Sequence, residues 1–168
     1  QKFSTGGAYV GQWGGGGSGD GQFNYPADVA IDGAGNVFVA DLFLHRVQKF
    51  DSAGAYLAQW GSLGSGDGQF DSPTAIATDG AGNVYVLEGG NNRVQKFDGA
   101  GAYQAQWGSY GSGDGQFNAP YGLAVDAAGG LYVSEVYNYR VQRIGADGAA
   151  VLDDGQSQAF PGLAPMTY

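Results

Sequence analysis

The stretch Pro73–Phe97, PTAIATDGAGNVYVLEGGNNRVQKF, decides how the whole chain is read, because it has counterparts in the same sequence. Val-Gln-Lys-Phe ends it at Val94–Phe97 and also stands at Val47–Phe50, and Gln1–Phe3 repeats the last three letters. Gly-Gln-Phe begins at Gly21, Gly68 and Gly115. The same step of 47 residues links Trp13, Trp60 and Trp107, and likewise Pro26, Pro73 and Pro120. Asp32, Asp79 and Asp126 share it, as do Arg46, Arg93 and Arg140, without a gap. Similarity at a fixed period of this length marks a repeat architecture and takes precedence over any local motif.

Each repeat reads as four short strands. In the copy that starts at Gly19, ADVAID is a short apolar strand and DGAGN is a tight turn rich in residues that tolerate positive φ. NVFVAD alternates and is β-branched, LFLH connects, and RVQKFD alternates again. SAG turns the chain into AYLAQWG, and the loop GSLGSGDGQF leads to the next copy. The turns fall at hairpin spacing, and no stretch has a helical period. The expected fold class is all-β, a β-propeller of four-stranded antiparallel blades. A β-solenoid is the competing architecture, but its repeats usually hold fewer and shorter strands.

The pattern P-x-x-A-x-D-x-x-G-N-V-(F/Y)-V followed by R-V-Q-K-F resembles the NHL repeat, whose members form propellers that are commonly six-bladed. The resemblance spans almost the whole chain and implies fold more than activity, since propellers host many functions. Laid on the sequence, it gives a trailing outer strand of a partial blade in 1–18, blades at 19–65, 66–112 and 113–155, and a leading inner strand in 156–168. Three full blades are too few for a ring, so the single chain is expected to be an incomplete propeller with open edges. Either it is an excerpt or processed piece of a longer propeller, or a second copy supplies the missing strands. The second case gives a closed dimer of about six blades or a head-to-tail polymer, so a homo-oligomer is expected.

Composition narrows the function. The 168 residues suffice for a core, and 33 glycines without a three-residue period exclude collagen. Seven Lys and Arg against 16 Asp and Glu give a net charge of −9, which argues against nucleic acid as a partner. The absence of cysteine removes disulfides and thiolate metal sites. No apolar run approaches the roughly 18 to 20 residues of a membrane span. The Gly- and Tyr-rich, lysine-poor composition points to an extracellular or cell-surface setting.

Candidate residues fall into two groups. Arg46, Arg93 and Arg140 each follow an acid by five positions: Asp41, Glu88 and Glu135. An acid ending the second strand faces an Arg beginning the third, so these are read as structural ion pairs, Asp41 with Arg46, Glu88 with Arg93 and Glu135 with Arg140. The Gly-Ser-Gly-Asp-Gly-Gln-Phe loops carry one carboxylate each and lead into strands, which suits an inter-blade turn better than a calcium or phosphate loop. Their Phe, with the Trp before it, is expected to pack between neighbouring blades. DGAGN lacks the alternating acids and closing Glu of a calcium loop.

The second group comes from the places where copies disagree. The connection after the second strand reads Leu42-Phe43-Leu44-His45, Gly89-Gly90-Asn91-Asn92 and Val136-Tyr137-Asn138-Tyr139. The residues beside each proline vary too, with Tyr25 and Tyr121 among them. Both loop sets lie on one face of a propeller, and specificity tends to sit on loops carried by a rigid scaffold. Tyr25, Leu42, Phe43, Leu44, His45, Asn91, Asn92, Tyr121, Tyr137 and Tyr139 are therefore the expected partner-binding set. Drift at unconstrained loops is the bland alternative, against which an exposed Leu-Phe-Leu counts.

No catalytic or metal-binding residue is expected, and no cofactor. Lyases of the resembled family use several histidines around a metal, and His45 is the only histidine. No Ser sits in a GxSxG elbow. The expected function is a non-catalytic scaffold for protein–protein interaction. One alternative is a self-assembling building block, a ring or an extracellular filament, whose end blades are completed by neighbouring chains. Another is a fragment of a larger propeller enzyme.

Overall fold

A computed structural model describes residues 1–145, and these form thirteen β-strands and no helix. A two-stranded pair, β1 (Lys2–Phe3) and β2 (Tyr9–Gly11), comes first. Next is the four-stranded antiparallel sheet of β3 (Pro26–Ile31), β4 (Val37–Asp41), β5 (Arg46–Phe50) and β6 (Tyr56–Trp60). A second such sheet comprises β7 (Pro73–Thr78), β8 (Val84–Glu88), β9 (Arg93–Phe97) and β10 (Tyr103–Trp107). The last described sheet joins β11 (Pro120–Val125), β12 (Leu131–Glu135) and β13 (Arg140–Ile144). Strand order follows sequence order in every sheet, as in the meander of a propeller blade. The expected end of the third blade and the leading strand in 156–168 lie outside the described residues.

Local chemistry explains each element. Two of the three hairpin turns of the first blade are each closed by an Asp side chain. Asp32 Oδ1 accepts from the amides of Ala34 and Asn36 at 2.9 and 2.8 Å, and Asp51 Oδ1 accepts from Ala53 and Ala55 at 2.9 Å each. Such Asx turns let a short side chain stand in for backbone partners. Each first strand begins with a proline, which needs no ladder partner for a missing N–H. Just after it the register slips, between Pro26 and Asp28, Pro73 and Ala75, and Pro120 and Gly122.

The core lies between blades. Phe38, Ala40 and Val47 of the first blade meet Phe70, Ile76, Val84, Val86 and Phe97 of the second, all buried. The same arrangement recurs where Tyr85, Leu87 and Val94 meet Phe117, Leu131, Val133 and Ile144. Trp60 bridges the first of these layers, with its ring centroid 6.2 Å from Phe38 and 5.8 Å from Phe97. Trp107 stacks on Tyr85 at 6.3 Å. Strand faces that alternate in sequence thus become the two flanks of a blade, each buried by its neighbour.

The outer flank of the first blade is the exception. Val29 and Ile31 are 57% and 63% exposed, whereas Ile76, the counterpart of Val29, is 3% exposed. Together with Phe3, Trp13, Phe23 and Val37 they line an apolar groove of about 580 Å³.

Candidate partner-binding face

The long loop before each blade is held by the third strand of that same blade. In the second blade, Arg93 Nη1 donates to the Ser65 carbonyl at 2.7 Å, and Nη2 to those of Gly66 and Gln69 at 3.0 and 2.9 Å. Gln95, fully buried, receives the Gly68 amide at 2.9 Å and donates to the Gln69 carbonyl at 2.7 Å. Arg46 with Gln48, and Arg140 with Gln142, repeat this on residues 18–22 and 112–116. Backbone carbonyls that turn inward at the Gly-rich loop thereby find donors, as buried polar groups require.

The acid at the end of the second strand completes the brace in two blades. Glu88 Oε1 receives Arg93 Nε at 2.6 Å and Gln95 Nε2 at 2.7 Å, and its Oε2 receives the Asp71 amide at 2.9 Å and Asn91 Nδ2 at 2.6 Å. Glu135 does the same with Arg140, Gln142, the Asn118 amide and Asn138. In both pairs the guanidinium meets the carboxylate through Nε alone, while its two terminal nitrogens serve the loop.

The expected pair of Asp41 with Arg46 does not form. The Asp41 carboxylate accepts from the amides of Asn24 at 2.9 Å, Tyr25 at 3.0 Å and Leu44 at 3.3 Å, and Arg46 Nε is buried without a partner. Asp is one methylene shorter than Glu, so a carboxylate seated on the loop amides stops short of the guanidinium. Leu44 also stands where Asn91 and Asn138 supply a donor to Glu.

These contacts fix the variable loops on one face. The Leu42 amide donates to the Tyr25 carbonyl at 2.9 Å, and Gly89 and Val136 donate to Ser72 and Ala119 in the same way. Neighbouring blades are stitched together here as well. The Ser72 amide donates to His45 Nδ1, and the Ala119 amide to Asn92 Oδ1, both at 3.2 Å. His45, Asn92 and Tyr139 hold φ of 50°, 51° and 53°, a left-handed bend that ends each connection.

Exposure then separates the candidate residues. Tyr25 and Phe43 are 51% and 57% exposed, with ring centroids 5.2 Å apart. Tyr121, Tyr137 and Tyr139 are 70%, 66% and 90% exposed. Tyr121 occupies the register slip after Pro120, which turns its ring out of the sheet. Leu42, Leu44, His45, Asn91 and Asn92 are half-buried. The polar groups of His45, Asn91 and Asn92 are used within the chain. Sequence reasoning missed the buried glutamines Gln48, Gln95 and Gln142, whose signal was their recurrence inside the repeated Arg-Val-Gln. Among the described residues no group of three or more His, Cys, Asp or Glu side chains is placed to hold a metal ion.

Comparison with known proteins agrees with this geometry. The NHL repeat matches residues 23–50 and 70–97. No curated protein sequence matches the chain. Among solved structures, virginiamycin B lyase from Staphylococcus aureus superposes with a TM-score of 0.59 at 17% identity, over 75% of this chain and 40% of that one. Kuenenia stuttgartiensis hydrazine synthase superposes with a TM-score of 0.61 at 15% identity, over 81% of this chain and 37% of that one. The chain thus spans about two-fifths of the length of these structures, and the likeness is one of fold.

Proposed function

The chain belongs to the NHL-repeat family of β-propeller proteins, and on that premise we propose that it is a non-catalytic scaffold that captures a protein partner on its loop face. The observation that supports this reading is the set of aromatic rings on that face. Tyr25, Phe43, Tyr137 and Tyr139 on the loops, and Tyr121 at the start of β11, are each at least half exposed beside leading loops that Arg and Gln side chains brace. Large rings held on a rigid base lose little freedom on binding and suit the centre of a protein interface. The proposal includes a setting outside the cell or on its surface, supported by composition alone.

The test is a double variant, Phe43→Ser with Tyr137→Ser. Both rings are exposed, so folding should persist by circular dichroism while capture of the partner falls at least tenfold. Undiminished capture would sink this reading.

The exposed flank of the first blade favours a second reading, in which a neighbouring chain completes the array as a ring or filament. Val29 and Ile31 lie bare where the corresponding flanks of the next two blades are covered. Light scattering on the isolated chain tests it: a discrete dimer or long polymers support it, and a stable monomer at high concentration counts against it.

A further inference from the structure

Resting on the loop-face reading, we propose that the partner is engaged through a cationic side chain, a Lys or Arg of an extended segment, received by Asp71 on the second blade. The three connections and their leading loops form one continuous band. His45, two residues after Phe43, is bonded to the amide of Ser72, beside Asp71. Asn92 is bonded to the amide of Ala119, two residues before Tyr121. Along this band the first blade carries the Tyr25–Phe43 ring pair and the third carries Tyr121 and Tyr137. Between them the second blade carries Gly89 and Gly90 and no ring.

Asp71 lies in that low stretch. Its carboxylate packs over Gly90, in space that a Cβ there would take, and the residue as a whole is half-buried. Among the described residues its one side-chain hydrogen bond is from the Ser72 hydroxyl to Oδ1, at 2.9 Å. The corresponding residues of the other two blades are the neutral Asn24 and Asn118, so this charge is particular to the second blade. Ion pairs among the described residues join Glu88, Glu135 and Asp126 to arginines, and none involves Asp71.

The charge balance of the molecule points the same way. All seven Lys and Arg are engaged internally. The three third-strand arginines hold the leading loops, and Arg143 holds Asp126. Lys2 and Lys49 donate to the carbonyls of Ser52 and Gly99, and Lys96 lies 5.4 Å from the centre of the Tyr85 ring. The loop face therefore offers carboxylate and aromatic surface in a protein of net charge −9. Cationic side chains of one extended segment fit both, by ion pairing at Asp71 and by cation–π contact with rings of the neighbouring blades.

The probe is a short labelled peptide alternating Gly and Lys, with a Gly–Glu peptide as its counterpart, titrated against the whole chain by fluorescence anisotropy. The Lys peptide should bind at low salt and the Glu peptide should not. Asp71→Asn, which installs the residue of the sister blades, should weaken binding about tenfold with folding intact. Asp114→Asn, in an exposed loop of the third blade, controls for bulk charge and should change binding less than twofold. Equal loss from both variants, undiminished binding by D71N, or no binding of the Lys peptide at low salt would each overturn the assignment. If D71N binds normally while the Phe43→Ser, Tyr137→Ser variant does not, the cation site is wrong and the aromatic face stands. If neither variant affects binding, the face falls with it.

Discussion

Glu88 and Arg93 meet at 2.6 Å with side chains 0% and 8% exposed, while their counterparts Asp41 and Arg46, though paired across the same two strands of their blade, form no ion pair. The same spacing in sequence therefore yields a buried ion pair in one blade and an unpartnered guanidinium nitrogen in another. Glu88→Ala would strand Arg93 and Gln95 together and should cost about 3–5 kcal/mol, read as a lower urea midpoint. Asp41→Glu combined with Leu44→Asn would build the sister arrangement in the first blade. It should raise the midpoint by about 1 kcal/mol. No gain would mean that the Glu and Asn add nothing to what the loop bonds already supply.

The turns after β6 and β10 tolerate only glycine. Gly61 has φ of +105°, and a Cβ there would stand 2.5 Å from the Phe70 ring and 2.8 Å from the His45 carbonyl oxygen. Gly61→Ala should therefore destabilise by more than about 1 kcal/mol. Gly33, with open space around it and no positive φ, is the control: Gly33→Ala should leave the melting temperature nearly unchanged.

Acid should unfold the protein through its braced carboxylates. Burial pushes Glu135 up, but Arg140, Gln142, the Asn118 amide and Asn138 together hold it below the ordinary Glu range. Asp32 and Asp79 are likewise raised by burial and lowered further by the side chains and amides of Asn36 and Asn83. A depressed carboxylate stabilises the fold fully above its unfolded value and loses that contribution as pH falls through the folded one. The melting temperature should thus stay level from neutral pH to about 5 and fall below about pH 4. A melting temperature still level at pH 3 would contradict this.

The residue that ends each connection sets the stitch between blades. His45→Asn copies Asn92 and should preserve the bond to the Ser72 amide, with stability unchanged. His45→Ala should cost about 1 kcal/mol. Tyr139 holds a left-handed φ of 53° while 90% exposed. Tyr139→Asn should stabilise by a few tenths of a kcal/mol, roughly, because Asn tolerates that conformation better. Calorimetry of the three variants checks all of these.

Much of the fold was legible because its determinants are local. DGAGN and the alternating NVYVLE state their own conformations, and the 47-residue step multiplies each signal. The acid–Arg spacing was equally visible, yet a one-methylene difference between Asp41 and Glu88 decided the contact, and spacing carries no information about reach. Nothing read from the sequence assigns a role to Gln95. It is buried because the loop of residues 64–69 folds over it, and that partner is remote in sequence. Asn91 reads as a variable-loop residue for the same reason, although its amide spans Gly64 and Glu88. The outward turn of Tyr121 follows from a register slip that no residue type announces.

The bracing of each leading loop has a consequence for how such a chain can grow. Every bond from Arg93 or Gln95 to its loop spans 24 to 28 residues, within one period. The residues that reach across blades, such as His45 and Asn92, also recur once per period. A stretch of coding sequence one period long therefore carries its own brace and half of each seam. Tandem duplication or unequal recombination between copies would yield a blade that is finished on arrival, wherever in the repeat the crossover falls.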